Sequence, residues 1–95
     1  MIKDKYLEFI TQKINQLTLG KDSEWFIFGS SLNKGHFGDI DLGFMGKINK
    51  NELTVLKEEF EESTFPYFID IIDFNKASKE FRENVFDQNI LWLKH

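Results

Sequence analysis

All six glycines of this 95-residue chain fall in one window, between residues 20 and 46. Glycine adopts backbone conformations that other residues avoid, and it lets a ligand or a second strand approach the backbone closely. The single proline, Pro66, lies outside that window. We therefore expect the tight turns and close backbone approaches of this fold to lie in the window, with regular elements on either side.

Three segments outside or beside the window carry helix signals. In the first, apolar residues recur at spacings of three and four, which places them on one stripe of a helix: Tyr6, Phe9, Ile10, Ile14 and Leu17. Gly20 is placed to end this helix as its C′ residue. Asn49 and Ser78 are side-chain caps in type and position, and they predict the starts of a second and a third helix.

Strand patterns separate these helices. Residues 25–28 are a short apolar run, residues 39–44 alternate with period two, and residues 67–74 form a third apolar strand. The tail at residues 90–93 fits either an edge strand or a short helical turn. The element order predicts an α+β fold, with one small mixed β-sheet and helices packed on it, as a single domain over residues 1–95.

Composition excludes several classes of protein. Without cysteine there is no disulfide scaffold, zinc knuckle or thiol nucleophile. No apolar run approaches the length of a membrane span, and the charged first residues do not form a secretory signal, which favours a cytoplasmic protein. The net charge is −4, and the excess acid lies in the second half, without a Lys/Arg cluster. This distribution argues against direct nucleic-acid binding, because such binding depends on phosphate neutralisation.

The turn after the first strand has the features of an anion site. Phe28 ends the apolar run, and Gly29 and Ser30 follow it directly. Glycine allows a phosphate to approach the backbone, and Ser30 adds a hydroxyl and a backbone N–H. Lys34 is the cation of the connection that follows, and it is a candidate phosphate contact. We expect Gly29, Ser30 and Lys34 to bind a phosphate group.

Carboxylates follow on the next two strands. Asp39 and Asp41 stand at i and i+2 and project from one face of their strand, about 7 Å apart. Asp70 lies inside a strongly apolar strand, so we expect it to have a partner, whereas Asp73 lies on the opposite face. Three carboxylates beside a phosphate turn indicate a two-metal site for phosphoryl or nucleotidyl transfer. The simpler alternative is an exposed strand face with solvated aspartates.

The two segments together resemble a known family. FGSSLNKGHFGDIDLGF followed by FIDIIDF is similar to the minimal nucleotidyltransferases of the DNA polymerase β superfamily. That pattern is a hydrophobic strand, Gly-Ser, a variable loop, Asp-hydrophobic-Asp, and a third Asp on a later strand. The resemblance extends over about residues 25–93 and implies a polymerase β-like nucleotidyltransferase fold.

The resemblance also implies roles for individual residues. Gly29 and Ser30 would hold the triphosphate of the nucleotide. Asp39 and Asp41 would bind magnesium. Asp70 would bind one of the two magnesium ions and assist deprotonation of the acceptor hydroxyl.

The activity implied by the resemblance is transfer of a nucleoside monophosphate, AMP from ATP, to a hydroxyl. Small members of this family are antitoxins beside helical HEPN toxins, so the acceptor would be a tyrosine of a HEPN partner, in a homo- or hetero-oligomer. The alternative is a non-catalytic antitoxin that masks its partner. A magnesium-dependent hydrolase is a third reading, and the Gly-Ser turn before the paired aspartates favours nucleotide transfer over it.

Overall fold

The computed structural model describes residues 2–16, 23–32 and 39–94. The elements follow in this order: α1 (Asp4–Asn15), β1 (Glu24–Phe28), a 3-10 turn (Gly29–Leu32), β2 (Asp39–Met45), α2 (Lys50–Glu62), β3 (Phe68–Asp73), α3 (Lys79–Phe86) and β4 (Leu91–Lys94). The predicted order is confirmed, and the tail is a strand. Leu17, Gly20 and Lys34, which the sequence singled out, lie outside the described residues.

The four strands form one mixed sheet in the order β3-β2-β1-β4. β1 pairs antiparallel with both β2 and β4, whereas β2 and β3 run parallel. α2 makes the crossover between the parallel strands, as such a connection requires. The predicted α+β fold with a small mixed sheet is therefore confirmed, with β1 and β2 at its centre and β3 and β4 at its edges.

Alternation along the strands divides the core between the two faces of the sheet. On one face, Trp25, Ile27, Ile40, Leu42 and Phe44 are buried against apolar residues of α1 and α2. The Trp25 indole N–H donates to the Ser23 hydroxyl, 2.8 Å away, which satisfies its polar atom inside this core.

The opposite face holds a smaller aromatic core beneath α3. Phe26, Phe28, Phe74 and Val85 are buried together there. Gly43 makes this packing possible, because a Cβ at that position would lie 2.6 Å from the rings of both Phe26 and Phe74. Asp39, Asp41 and Asp70 share this face and lie nearer the starts of β2 and β3 than the rings that α3 contacts.

Side-chain caps start both later helices, as predicted. The Asn49 side chain accepts from the Asn51 N–H at 2.7 Å, and the Ser78 hydroxyl accepts from the Phe81 N–H at 3.1 Å. These bonds satisfy backbone donors that a helix start would otherwise leave free.

Asn75 ties the ends of the two parallel strands together. Its side-chain oxygen accepts from the Gly46 N–H at 3.0 Å, and its side-chain nitrogen donates to the Gly46 carbonyl at 2.9 Å. Gly46 has a φ of 100°, which glycine adopts without strain. A slip of one residue would turn every side chain of a strand to the other face, so this clasp supports the register that places the carboxylates together.

Candidate active site

The register of the central strands brings the predicted site residues to one end of the sheet. Asp41 of β2 is paired with Phe28 on one side and with Asp70 of β3 on the other. Paired residues on neighbouring strands lie about 4.8 Å apart and point to the same face. Asp39, two residues before Asp41, projects from this face as well. The structure therefore places Asp39, Asp41 and Asp70 side by side, next to the turn that follows Phe28.

Exposure differs among these carboxylates, and it corrects one expectation. Asp39 and Asp70 are exposed, while Asp41 is partly buried. The argument that Asp70 needs a partner because it lies in an apolar strand is wrong. β3 is an edge strand, and the neighbouring Phe68 is itself 77% exposed, so water reaches this part of the strand.

Burial and the neighbouring charges both disfavour the ionised form of Asp41. Burial is the main cause that raises the pKa of its carboxyl above the ordinary value of 3.8, and the charges of Asp70 and then Asp39 raise it further. Within the described part of the chain, none of these aspartates forms an ion pair with a lysine or arginine. The site is thus a group of like charges in which a cation would relieve unfavourable interactions.

The turn after β1 is built around Asp41. Gly29 has a φ of 81°, a conformation that residues with a Cβ rarely adopt. A Cβ at this position would also lie 2.6 Å from Oδ2 of Asp41. The carboxylate thus lies directly against the backbone of the turn, and both the conformation and the contact require glycine. The backbone of Ser30 continues the turn, and its side chain lies outside what the structure describes.

The three aspartates have the chemistry of a magnesium site, but their side chains are not arranged as one. Carboxylate oxygens are the ligands that magnesium prefers, so the donor set fits a hard divalent cation. Nevertheless, across residues 2–16, 23–32 and 39–94, no group of three or more acidic, histidine or cysteine side chains is arranged to hold a metal ion. The chemistry of the donors fits magnesium, and the side chains of Asp39, Asp41 and Asp70 would have to turn towards an ion to share it.

A groove beside β3 was not anticipated from the sequence. It has a volume of about 940 Å³ and lies between β3 and the segment that leaves α2, with Asp39 and Asp70 in its wall. Lys57 and Glu61 of α2 line it together with Phe68. The aromatic residues around Pro66 are the sequence signal for this groove. They could not be read as groove lining from the sequence, because that requires knowing that β3 lies at the edge of the sheet.

Comparison with known proteins agrees with this geometry. The family model described as polymerase beta, nucleotidyltransferase, matches residues 12–94. The chain belongs to this nucleotidyltransferase family. No curated protein matches the chain. The predicted resemblance is thereby confirmed for the family and for the fold of the nucleotidyltransferase domain.

A solved structure shares the fold of this nucleotidyltransferase domain. It is the complex of a tri-AMPylated Shewanella oneidensis HEPN toxin with an MNT antitoxin, and the likeness has a TM-score of 0.57 at 20% identity. The match covers 92% of this chain and 71% of the solved one. In the part of the nucleotidyltransferase that the structure describes, no helix has the length and apolar character needed to cross a bilayer.

Proposed function

We propose that this domain is a magnesium-dependent nucleotidyltransferase that transfers AMP from ATP to a hydroxyl on a HEPN-type partner protein. The observation that carries the proposal is the position of Asp41, which lies against the backbone of the Gly29 turn and beside Asp70. A nucleotide phosphate at the turn would then be adjacent to the carboxylates. Membership of the nucleotidyltransferase family supports the reaction class.

Each residue has a defined part in this proposal. Gly29, Ser30 and Lys34 bind the triphosphate, with the glycine backbone giving close access. Asp39, Asp41 and Asp70 would hold magnesium, which would supply positive charge for the phosphates and the leaving pyrophosphate.

Proton transfer is assigned to Asp70, because this exposed carboxylate lies on the edge strand, where an acceptor can approach it. It accepts the proton as the acceptor oxygen bonds to the α-phosphorus and the bond to pyrophosphate breaks.

The HEPN partner is proposed from the fold and the charge. The solved complex that shares this fold pairs an MNT antitoxin with a HEPN toxin that carries AMP groups. The present chain has a net charge of −4, which suits recognition of a basic protein surface better than of nucleic acid. We propose the same kind of pairing here, with the toxin hydroxyl as acceptor.

The test is transfer of label from α-labelled ATP to a HEPN-type protein that forms a complex with this chain. Asp41→Asn should lower the transfer rate by at least about a hundredfold, because it removes charge where phosphate and metal meet. Asp39→Asn and Asp70→Asn should also lose activity.

Asp73→Asn is the matched control. This residue lies on the same strand as Asp70, on the opposite face, and asparagine retains the oxygen that accepts from the Asn75 N–H. Equal labelling by the wild type and the Asp41→Asn variant would contradict the proposal. Absence of labelling, combined with full neutralisation of the toxin, would favour the masking module instead.

A further inference from the structure

The outer edge of β3 is open to another strand. Within the described residues, β3 pairs only with β2. The Phe74 N–H donates to the Phe44 carbonyl at 2.9 Å, so Phe74 and alternate residues before it direct their backbone groups towards β2. The backbone N–H and C=O groups of Ile69 and Ile71 therefore face outward, one on each side of Asp70.

This edge lacks several of the features that usually protect a free strand. Natural edge strands are commonly short or carry lysine or proline, which discourage pairing with another chain. β3 has six residues, FIDIID, without lysine or proline, and its charged residues are Asp70 and Asp73. Its first residue, Phe68, is 77% exposed. An apolar strand with free backbone groups is suited to strand addition.

The groove beside this edge determines the charge of what can bind there. Asp39, Glu61 and Asp70 line it, against a single lysine, Lys57, among the described lining residues. An extended segment that carries basic side chains would complement this charge. The volume of about 940 Å³ leaves room for side chains next to the edge.

We propose that the outer edge of β3 pairs with an extended, basic segment of the partner protein and thereby presents the acceptor hydroxyl to Asp70. The inference rests on the proposed function, and it identifies where and in what conformation the acceptor binds. A strand added at this edge lies about 4.8 Å from β3, so its residue opposite Asp70 projects beside that carboxylate. A tyrosine, serine or threonine at that position would be in reach of the site.

A second copy of this chain is a poorer occupant. Pairing two β3 edges would bring together two grooves that each carry more acidic than basic side chains. Like charges on facing strands are destabilising. The charge of the edge therefore favours a partner of opposite charge over self-association.

Amide exchange of the whole chain, measured by NMR, tests the pairing without ATP or magnesium. The probe is a short synthetic peptide with a central tyrosine, alternating valine and threonine, and a lysine at each end. Adding it should slow exchange of the Ile69 and Ile71 amides by at least about tenfold, because a strand bond buries each donor. The same peptide with glutamate at each end should bind at least about tenfold more weakly.

Ile71→Pro removes one outward donor, and Ile71→Val is the matched control that keeps it. Proline is tolerated on edge strands where the N–H faces solvent, and circular dichroism would verify the fold. Ile71→Pro should weaken peptide binding and label transfer by about tenfold, while Ile71→Val should leave both unchanged.

The outcomes separate the two proposals. Label transfer with unprotected Ile69 and Ile71 amides, or transfer unaffected by Ile71→Pro, would overturn the edge pairing and leave the proposed function standing. Protected amides without label transfer to any acceptor would support the pairing and contradict the proposed function. A dimer that Ile71→Pro converts to a monomer would assign the edge to a second copy and overturn the proposal.

Discussion

β2 and β3 both carry acidic residues within apolar strands, but they do so in different surroundings. β2 lies at the centre of the sheet, where Leu42 and Gly43 are fully enclosed and Asp41 is partly buried. β3 lies at the edge, where Phe68 and Asp70 are exposed. The central strand holds a carboxylate against the Gly29 turn, and under the proposed function the edge strand would offer one to an incoming acceptor. The proposed site thus combines a partly buried carboxylate on the central strand with exposed ones beside it.

The largest expected difference between the two strands is in stability. Leu42→Ala removes a fully buried side chain of β2 and should lower the free energy of unfolding by about 2–5 kcal/mol. Phe68→Ala removes a side chain that is 77% exposed and should change it by less than about 0.5 kcal/mol. Urea denaturation of both variants measures the difference. A large loss for Phe68→Ala would break the comparison, since it would mean that β3 is covered in solution.

A smaller effect is expected at the contact between the turn and β2. Gly29→Ala forces a side chain into a φ of 81° and against the Asp41 carboxylate, and should cost about 1–3 kcal/mol of stability. Adding Asp41→Ala removes one of these two penalties. The double variant should therefore recover at least about 0.5 kcal/mol relative to the sum of the single variants. If the stability changes of the two single variants simply add in the double variant, the Cβ introduced at position 29 is not in repulsive contact with the Asp41 carboxylate.

The smallest effect concerns the charge of Asp41. Because the pKa of this carboxyl is raised in the folded state, the folded protein binds more protons than the unfolded chain just above pH 3.8. Stability should fall as the pH rises through this window and then stay lower. Asp41→Asn removes that fall, and at pH 7 it should stabilise the fold by less than about 1 kcal/mol, because solvent screens the partly exposed group.

Thermal melts across pH measure this contribution, with Asp73→Asn as the control. If Asp41→Asn is less stable than the wild type at pH 7, the unfavourable burial and repulsion assigned to the Asp41 carboxylate are contradicted.

Magnesium at millimolar concentration should raise the melting temperature of the wild type more than that of Asp41→Asn, because a bound cation relieves the repulsion among the carboxylates. An equal response of both proteins to magnesium would show that Asp41 is not one of its ligands.

Much of this fold follows from local signals in the chain. Caps at Asn49 and Ser78, the period-two alternation of β2, and the face shared by Asp39 and Asp41 were all predictable, because each depends on residues close in sequence. The prediction for Asp70 failed in one respect. The apolar neighbours of Asp70 in the chain suggested burial, whereas exposure depends on which strand lies beside β3.

The sequence by itself determined the order of elements, the glycine at the turn after β1 and the acidic residues that follow, because propensity, periodicity and spacing are local properties. Only the tertiary structure decided that Asp41 pairs with Asp70, that the Gly29 backbone lies against the Asp41 carboxylate, and that β3 has an open edge. Strand order and register join residues that are distant in the chain, and they are selected by burial of the whole sheet between its helices.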